Sequence, residues 1–487
     1  MTRASDLHRR AVDTPATDVI VVGAGLAGLA AAVALAADGA VVTLIERRAF
    51  IGGRAYSYPH PVLGETIDSQ HVILGCCTNF RKLIEQAGTA WSIRWYDKLC
   101  FMEPSASEVN AASALSRRSW IKPSLLPAPA HQALSFLGAP MLERADKVAI
   151  ARGLLHFLRD YPSTDHESFA TWLRNTHQTE RAIRHFWEPV IVGALNDRFD
   201  NCSTKYAGKI IHESFLRSPE AGRLGIPTKP LTEFFEPVVK LARRLGVEVL
   251  MNSGVTAIAQ ADDGRWRVTC GNDHLDANAV ILATDLRQTA RLMQPLTTAG
   301  AWLAASSHLA TERFTSSPIT TIHLWYDREV VDVDHAVLLD TRIQWMFAKS
   351  RIRAWQPERG SYLELVISAS WPELKLTRAE ILGEALRELA LFFPKIREAR
   401  LLKSAVLKEV NATFSVVPGL DASRPPQRTA YPGLYVAGDW TATDWPATME
   451  GAVRSGRMAA GAVAGDRQQF LSPELPPTGL MHLLSRI

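Results

Sequence analysis

The sequence predicts an α/β protein: a doubly wound, dinucleotide-binding sheet with a β-meander, interrupted by an inserted mixed α+β domain. Three observations predict it. The chain opens on a β-branched run, a glycine-rich turn and an Ala/Leu-rich run, Asp18–Ala37. A second apolar run closes on Glu46, eighteen residues after Gly28. A strand–turn–helix pattern returns near the far end, at Leu434–Ala464, so the first domain is split by what lies between. At 487 residues the chain is also too long for one ordinary core.

Asp18-Val-Ile-Val-Val22 is short, apolar and β-branched, as expected of a strand buried on both faces of a parallel sheet. Leu26–Ala37 reads as a helix ending at Asp38-Gly39, where glycine suits the C-cap. Val41–Glu46 reads as a second buried strand. No charge occurs from Val19 to Ala37, which is long enough for a membrane span. Gly23, Gly25 and Gly28 break that run, and strand, turn and helix account for it better.

From about Cys77 to Pro230 the chain is rich in Trp, Phe, Leu and Pro, with helical patterns at Met141–Tyr161, Phe169–Asn175 and Thr179–Leu195. A mainly helical insertion is expected there. Pro230–Gly246 reads as a helix returning to the first domain. Val247–Gln260, Arg265–Cys270 and Ala279–Thr284 read as a β-meander, its first turn at Asp262-Asp263-Gly264. Thr320–Tyr326 and Tyr362–Ser370 read as strands of a second domain, and Arg378–Phe393 as a helix. Leu434–Ala437 reads as a buried strand and Thr448–Ala464 as the last helix. These assignments place 18–76, 235–295 and 405–466 in the nucleotide-binding domain. They place 77–234 and 296–404 in the substrate domain, and 1–17 and 467–487 in tails.

Composition narrows the functional classes. Hydrophobic residues at 47% and charged residues at 21% describe an ordinary globular protein. A formal charge of +4 without any basic run interleaved with aromatics argues against nucleic acid. The five cysteines, Cys76, Cys77, Cys100, Cys202 and Cys270, show no CxxC spacing, and their odd number fits a reducing compartment. Residues 1–17 carry Arg3, Arg9 and Arg10 but no apolar core, so no secretory signal is expected. No metal site is expected either.

The chemistry is concentrated in the glycine turns. In Gly23-Ala24-Gly25-Leu26-Ala27-Gly28 the first glycine makes the turn, the second admits a pyrophosphate, and the third lets helix and strand pack closely. The helix N-terminus offers N–H groups and partial positive charge to the phosphates. Glu46 is placed to accept both ribose hydroxyls of an adenosine, and its charge disfavours a 2′-phosphate. Arg47 leads into a second turn, Gly52-Gly53-Arg54, suited to run beside the pyrophosphate. Gly438-Asp439 ends a late strand with a carboxylate placed to hold ribityl hydroxyls. The helix starting near Met449-Glu450-Gly451-Ala452 is expected to aim its N-terminus at a flavin ring. Together these predict FAD, held non-covalently, and no separate nicotinamide site. Gln70, His71 and Val255 are expected to contact it too.

These pieces resemble the amine oxidase and phytoene desaturase group of flavoproteins, through both glycine turns, Glu46, Ala437-Gly438-Asp439, Met449–Ala452 and Ser455-Gly456. Asp68-Ser-Gln70-His71-Val-Ile-Leu-Gly75-Cys76-Cys77-Thr78-Asn79, and Phe186–Pro189 followed by Ala194-Leu195-Asn196, look more narrowly like the squalene-associated hydroxysqualene dehydroxylases. That resemblance implies reductive removal of a hydroxyl from hydroxysqualene to give squalene for hopanoid synthesis. It further implies a long apolar isoprenoid substrate, an external electron donor of unknown identity, and a cytoplasmic enzyme touching the inner face of a membrane. Pro123–Pro140 and Leu480–Ile487 are the expected contact points. Such a reaction needs a general acid. Asp68, His71 and Glu188 are the candidates, each with a plainer reading: a turn anchor, a residue using its backbone beside the flavin, and a buried hydrogen-bond anchor. Two other functions share the fold, a desaturase of a polyprenoid such as phytoene and a non-catalytic escort for prenyl lipids.

Overall fold

Val19–Val22 packs β-branched side chains on both faces, none more than 4% exposed, and it lies accordingly inside a sheet. The computed structural model describes residues 17–104, 116–299, 311–466 and 470–484. Strand Thr17–Val22 runs parallel to Val42–Ile45 on one side and to Asp273–Leu282 on the other, with helix Leu26–Ala37 as the crossover. The sheet runs in the order Glu248–Leu250, Val42–Ile45, Thr17–Val22, Asp273–Leu282, Trp266–Cys270, Val255–Gln260. Strand Asp273–Leu282 begins antiparallel to Trp266–Cys270 and ends parallel to Leu434–Val436. The meander and the late strand therefore share one backbone.

The expected strand Val247–Gln260 is broken. Asn252 adopts a φ of 55°, and the amides of Asn252 and Ser253 donate to the carbonyls of Arg48 and Glu46 at 3.1 and 2.9 Å. The turn leaves Glu248–Leu250 as a parallel edge strand beside Val42–Ile45. Only Val255–Gln260 joins the meander.

The second sheet runs Leu401–Phe414, Ser316–Tyr326, Ser361–Ser368, Trp345–Ala348, His335–Leu338, Leu99–Glu103, Arg117–Ile121. Helix Arg378–Phe392 packs Ile381, Ala385, Leu389 and Phe392 in a core with Ile322, Leu324, Leu363 and Leu365. Two expected boundaries move. Leu401–Phe414 is a strand of this second sheet, paired with Ser316–Tyr326, so the chain returns to the first domain after Phe414 rather than at 405. Helix Thr78–Gln86 buries Phe80, Leu83 and Ile84 in one core with Leu29 and Phe234, so the first domain extends beyond 76. The insertion expected to be mainly helical supplies Leu99–Glu103 and Arg117–Ile121 to the second sheet.

The helical part of the insertion is built on aromatic packing. Trp172 lies between Phe157, Phe169 and Trp187, with ring centroids 4.8, 5.0 and 5.3 Å away. Trp187 Nε1 donates to Gln178 Oε1 at 2.7 Å, which satisfies the indole inside the core. Helix Arg144–His156 starts at the reciprocal cap of Glu143 and Asp146, shorter than the expected 141–161. The run from Glu180 to Leu195 contains a π-helical stretch, Ile183–Trp187. A second such stretch, Ile211–Leu216, ends the run that starts at Thr204.

Residues 470–484, expected within a tail, cross the molecule. Ser472 Oγ accepts from Arg457 Nη1 at 2.8 Å, Leu475 O accepts from Arg217 Nε, and the Leu480 amide donates to Ala128 O at 2.9 Å. The expected N-terminal tail, Thr17 apart, lies outside the described residues. Among the described residues no helix is long and apolar enough to cross a membrane.

Candidate functional site

The first glycine turn is fixed by close approach. Gly23 has a φ of 104°, and a Cβ on Gly28 would land on the Gly23 carbonyl, so the helix sits as close to the strand as backbone allows. Helix Leu26–Ala37 begins at Gly25 with no side-chain cap and no acid in its first turn. Its leading N–H groups and its dipole are left for a ligand anion. The second turn presses on the first: the Gly52 amide donates to Ala24 O at 3.0 Å, and a Cβ on Gly53 would sit 3.2 Å from Gly25 Cα.

Glu46 joins the two turns. Its Oε2 accepts the Ala24 amide at 2.8 Å and its Oε1 the Arg48 amide at 2.9 Å. A carboxylate accepts about four hydrogen bonds, so two acceptor sites remain for a diol, as a ribose requires. The late turn then meets the early ones. Arg54 Nη2 donates to Asp439 Oδ2, and that pairing holds the guanidinium pKa above its usual value. Gly438 N–H donates to Ser455 Oγ at 2.8 Å. Helix Met449–Val463 starts at a Thr448 cap. Its Glu450 is buried and accepts from the Asn79 and Phe80 amides at 3.2 and 2.8 Å, tying down helix Thr78–Gln86.

Both turns line one continuous cavity of about 970 Å³. Gly23, Gly25, Leu26, Ala27, Glu46, Arg47, Gly53, Arg54, Gln70, His71, Val255, Gly438, Asp439, Met449 and Ala452 all face it. Ala24 and Gly28, expected as contacts, stand behind the turn instead, where Ala24 donates to Glu46 and Gly28 packs on Gly23. Part of the cavity wall is apolar, formed by Leu99, Phe101, Val190, Ala194, Phe215 and Trp345. Glycine turns, uncapped helix start and half-used carboxylate fit a flavin dinucleotide, with room for an apolar ligand besides.

The three acid candidates are not equivalent. Asp68 is 3% exposed and accepts from Arg353 Nη2 at 2.9 Å, with Lys349 Nζ at 3.2 Å and the Leu231 amide at 3.1 Å. Burial opposes its charge, but Lys349 and Arg353 outweigh it and hold the carboxyl below its usual range. It is a fixed anion with no proton to give near neutral pH. Glu188 does not line the cavity, although its neighbours Pro189 and Val190 do. Burial pushes its carboxyl up, with Arg184 and Asp340 as the charges it feels.

His71 does line the cavity. Its Nδ1 lies 2.8 Å from Ser69 O. A carbonyl only accepts, so Nδ1 carries the proton and Nε2 is the acceptor of a neutral ring. Burial pulls this imidazole below the usual histidine range.

Sequence reasoning missed the residues that hold this segment in place. Lys349 Nζ donates to Gln70 Oε1 at 2.7 Å, and the Gln70 amide donates to Glu364 Oε1 at 2.6 Å. Burial raises the Glu364 carboxyl. The available signal was a lone charge next to or inside an apolar strand, Lys349 after Trp345–Ala348 and Glu364 within Ser361–Ser368. Asn196 is the C-cap of its helix and ties three segments, donating to Ser317 O and Thr413 Oγ1 and accepting the Ala369 amide. Among the described residues no group of His, Cys, Asp and Glu is arranged to hold a metal ion.

A family profile described as flavin containing amine oxidoreductase matches residues 26–464. The chain is 26% identical over 441 residues to the 15-cis-phytoene desaturase of Arabidopsis thaliana, covering 87% of this chain and 75% of that protein. It is 26% identical over 464 residues to the zeta-carotene desaturase of Synechocystis sp., covering 87% and 92%. Among solved structures it resembles an oxidoreductase from Methanosarcina mazei with a TM-score of 0.70 at 18% identity, covering 90% of this chain and 99% of that one. It resembles cyclohexylamine oxidase from Brevibacterium oxydans with a TM-score of 0.62 at 19% identity, covering 93% and 99%. At such identities the solved structures speak for the fold alone.

Proposed function

The chain belongs to the flavin-containing amine oxidoreductase family and its cofactor is FAD, and on that premise we propose that it reductively removes the hydroxyl of hydroxysqualene to give squalene. One observation carries the proposal. The two segments that resemble the hydroxysqualene dehydroxylases lie more than a hundred residues apart in sequence, yet Asp68–Leu74 and Pro189–Asn196 contribute to the walls of the same cavity. Part of that cavity's wall is apolar and suited to a polyprene. Burying a C30 chain contributes on the order of 10–20 kcal/mol gross at about 0.8 kcal/mol per CH₂, most of it offset by ordering and desolvation.

Bound and reduced, FAD supplies the hydride that replaces the hydroxyl. The protein must exclude water, hold the hydroxyl and deliver one proton so that oxygen leaves as water. The apolar walls do the first. Asp68 and His71 both line the cavity, but Asp68 is held as an ion-paired carboxylate, so His71 is the acid candidate: neutral, its Nε2 accepts from the hydroxyl; protonated, it hands the proton over. Its pKa is depressed, so the protonated share grows only below the usual histidine range. Single-turnover rates of pre-reduced enzyme are therefore expected to rise as pH falls from 8 toward 5.5. In His71→Gln that rise should be lost.

A bilayer-resident substrate places the enzyme, in this proposal, in the cytoplasm and peripheral on the inner membrane face, reduced by an external donor. Five free thiols suit such a compartment. No cysteine lies between Ala437 and Gly456, which supports a non-covalent flavin. The desaturase relatives favour a second reading, hydride removal from a polyprenoid into oxidised FAD. An escort protein would not need both glycine turns, Glu46 and the Arg54–Asp439 pair facing one cavity. Anaerobic incubation of dithionite-reduced, FAD-loaded protein with hydroxysqualene in detergent decides between them. We expect squalene and an equivalent return of oxidised flavin. No squalene, together with phytoene oxidation by the oxidised protein, would establish the desaturase instead.

A further inference from the structure

Six of the fourteen large apolar side chains exposed on the described surface fall in two segments that meet, and two more lie on the helix beside them. Leu125, Leu126, Leu134 and Leu137 come from the segment before helix Arg144–His156, and Leu480 and Leu483 from the C-terminal segment. Leu125 is fully exposed and Leu483 is 86% exposed. The two segments are far apart in sequence and joined in space: the Leu480 amide donates to Ala128 O at 2.9 Å, and a Cβ on Gly479 would sit 2.7 Å from Pro127. Lys147 Nζ donates to Leu137 O at 2.7 Å, which brings helix Arg144–His156 alongside.

That helix presents Arg144, Val148, Arg152 and Leu155 to solvent. Their spacing of four, four and three puts them on one face. Arg159 and Lys122 are exposed nearby, while the exposed acids Glu143 and Asp160 stand at the two ends of the stretch. Leucines beside a face that alternates arginine with apolar side chains match an anionic lipid surface, where the apolar groups enter and the guanidinium groups meet headgroup phosphates.

The patch is also connected to the cavity. Phe136, in the same short helix as Leu134 and Leu137, meets Phe186 edge-on at 5.7 Å, and Phe186 meets Phe215 at 6.3 Å. Phe215 lines the cavity. Phe186 and Phe215 each sit in a π-helical stretch. Such stretches carry an extra residue per turn and recur at functional sites. Three rings thus separate the surface leucines from the apolar wall of the site.

We infer that this surface docks on an anionic bilayer and that the Phe136–Phe186–Phe215 series is the route from the bilayer into the cavity. The inference rests on the proposal of a bilayer-resident substrate, but its test does not need turnover. FAD-loaded protein is sedimented with phosphatidylcholine vesicles with and without phosphatidylglycerol. The parent is expected to partition onto the anionic vesicles. The double variant Leu125→Ser/Leu483→Ser should lose at least about tenfold in partitioning, since each leucine withdraws several buried carbons. Arg152→Glu should lose the preference for anionic lipid. These positions are surface ones, so both variants should keep the parent's flavin spectrum and melting temperature.

Equal sedimentation of parent and variants would overturn the inference. So would a parent that is dimeric without lipid and becomes monomeric on Leu125→Ser/Leu483→Ser, because a second copy would then be the occupant. Vesicle binding as expected, with no squalene formed in detergent, would sink the substrate proposal and leave the surface standing. For the route, Phe136→Ala is expected to change the rate with vesicle-borne hydroxysqualene severalfold and leave the rate in detergent unchanged. An equal effect in both would place Phe136 outside the route.

Discussion

Asp68 sits between two cations, and its neighbours decide what it can do. Removing its charge by Asp68→Asn would leave Lys349 and Arg353 buried with Glu364 as the remaining anion. Breaking a buried pair in this way costs about 3–5 kcal/mol, so a large fall in the denaturation midpoint is expected, read by a thermal or denaturant melt. A catalytic acid would instead lose turnover while keeping stability. This role was illegible in the sequence because Asp68's partners lie about 280 positions on. Glu46 was legible for the converse reason. Its meaning depends on a strand, a turn and a helix within thirty residues of it, and spacing alone places it. His71 falls between: its presence near the cofactor followed from resemblance, but its tautomer depends on the Ser69 carbonyl.

Two helices form the nucleotide cradle, and one glycine sets how near they lie. A Cβ on Gly456 would fall on the Ala27 carbonyl, so Gly456→Val is expected to force helices Leu26–Ala37 and Met449–Val463 apart. Overpacking of this kind costs about 1–3 kcal/mol, and FAD retention through gel filtration should fall with it. Gly383, inside helix Arg378–Phe392, has only the flexible end of Arg387 near a new Cβ, at 3.6 Å. Gly383→Ala should therefore stabilise by about 0.5–1 kcal/mol. Helix periodicity located nearly every long helix, since a buried stripe repeats within the helix itself. It could not reveal the π-helical stretches, where the extra residue leaves hydrophobicity unchanged. Nor could it show that Val247–Gln260 breaks at Asn252, because the bonds that turn it come from Glu46 and Arg48.

The whole molecule buries neutral histidines that the unfolded chain would protonate. Burial pulls His323 down to about 3 and His335 to about 4. Between pH 6.5 and those values the unfolded state binds more protons, so this contribution to stability is lost as pH falls. Glu364 and Glu450 have raised pKa values and act with the opposite sign. The histidine contribution is therefore read as a difference: the stability gap between the parent and His323→Gln is expected to narrow from pH 7 to pH 4. A gap independent of pH would mean that His323 is solvated. At this scale the architecture was legible because its first and last motifs are local, and they do meet in one cavity. The division of the chain between the two sheets was not, since strand Leu401–Phe414 looks alike in either.

The central position of strand Thr17–Val22 has a cost during synthesis. One of its two neighbours, Asp273–Leu282, is translated long after it. The uncharged Val19–Ala37 stretch leaves the ribosome with five of the seven strands of its sheet untranslated, and at roughly 5–20 residues per second it waits on the order of ten to fifty seconds for Asp273–Leu282. Nascent-chain chaperones have that interval in which to hold it.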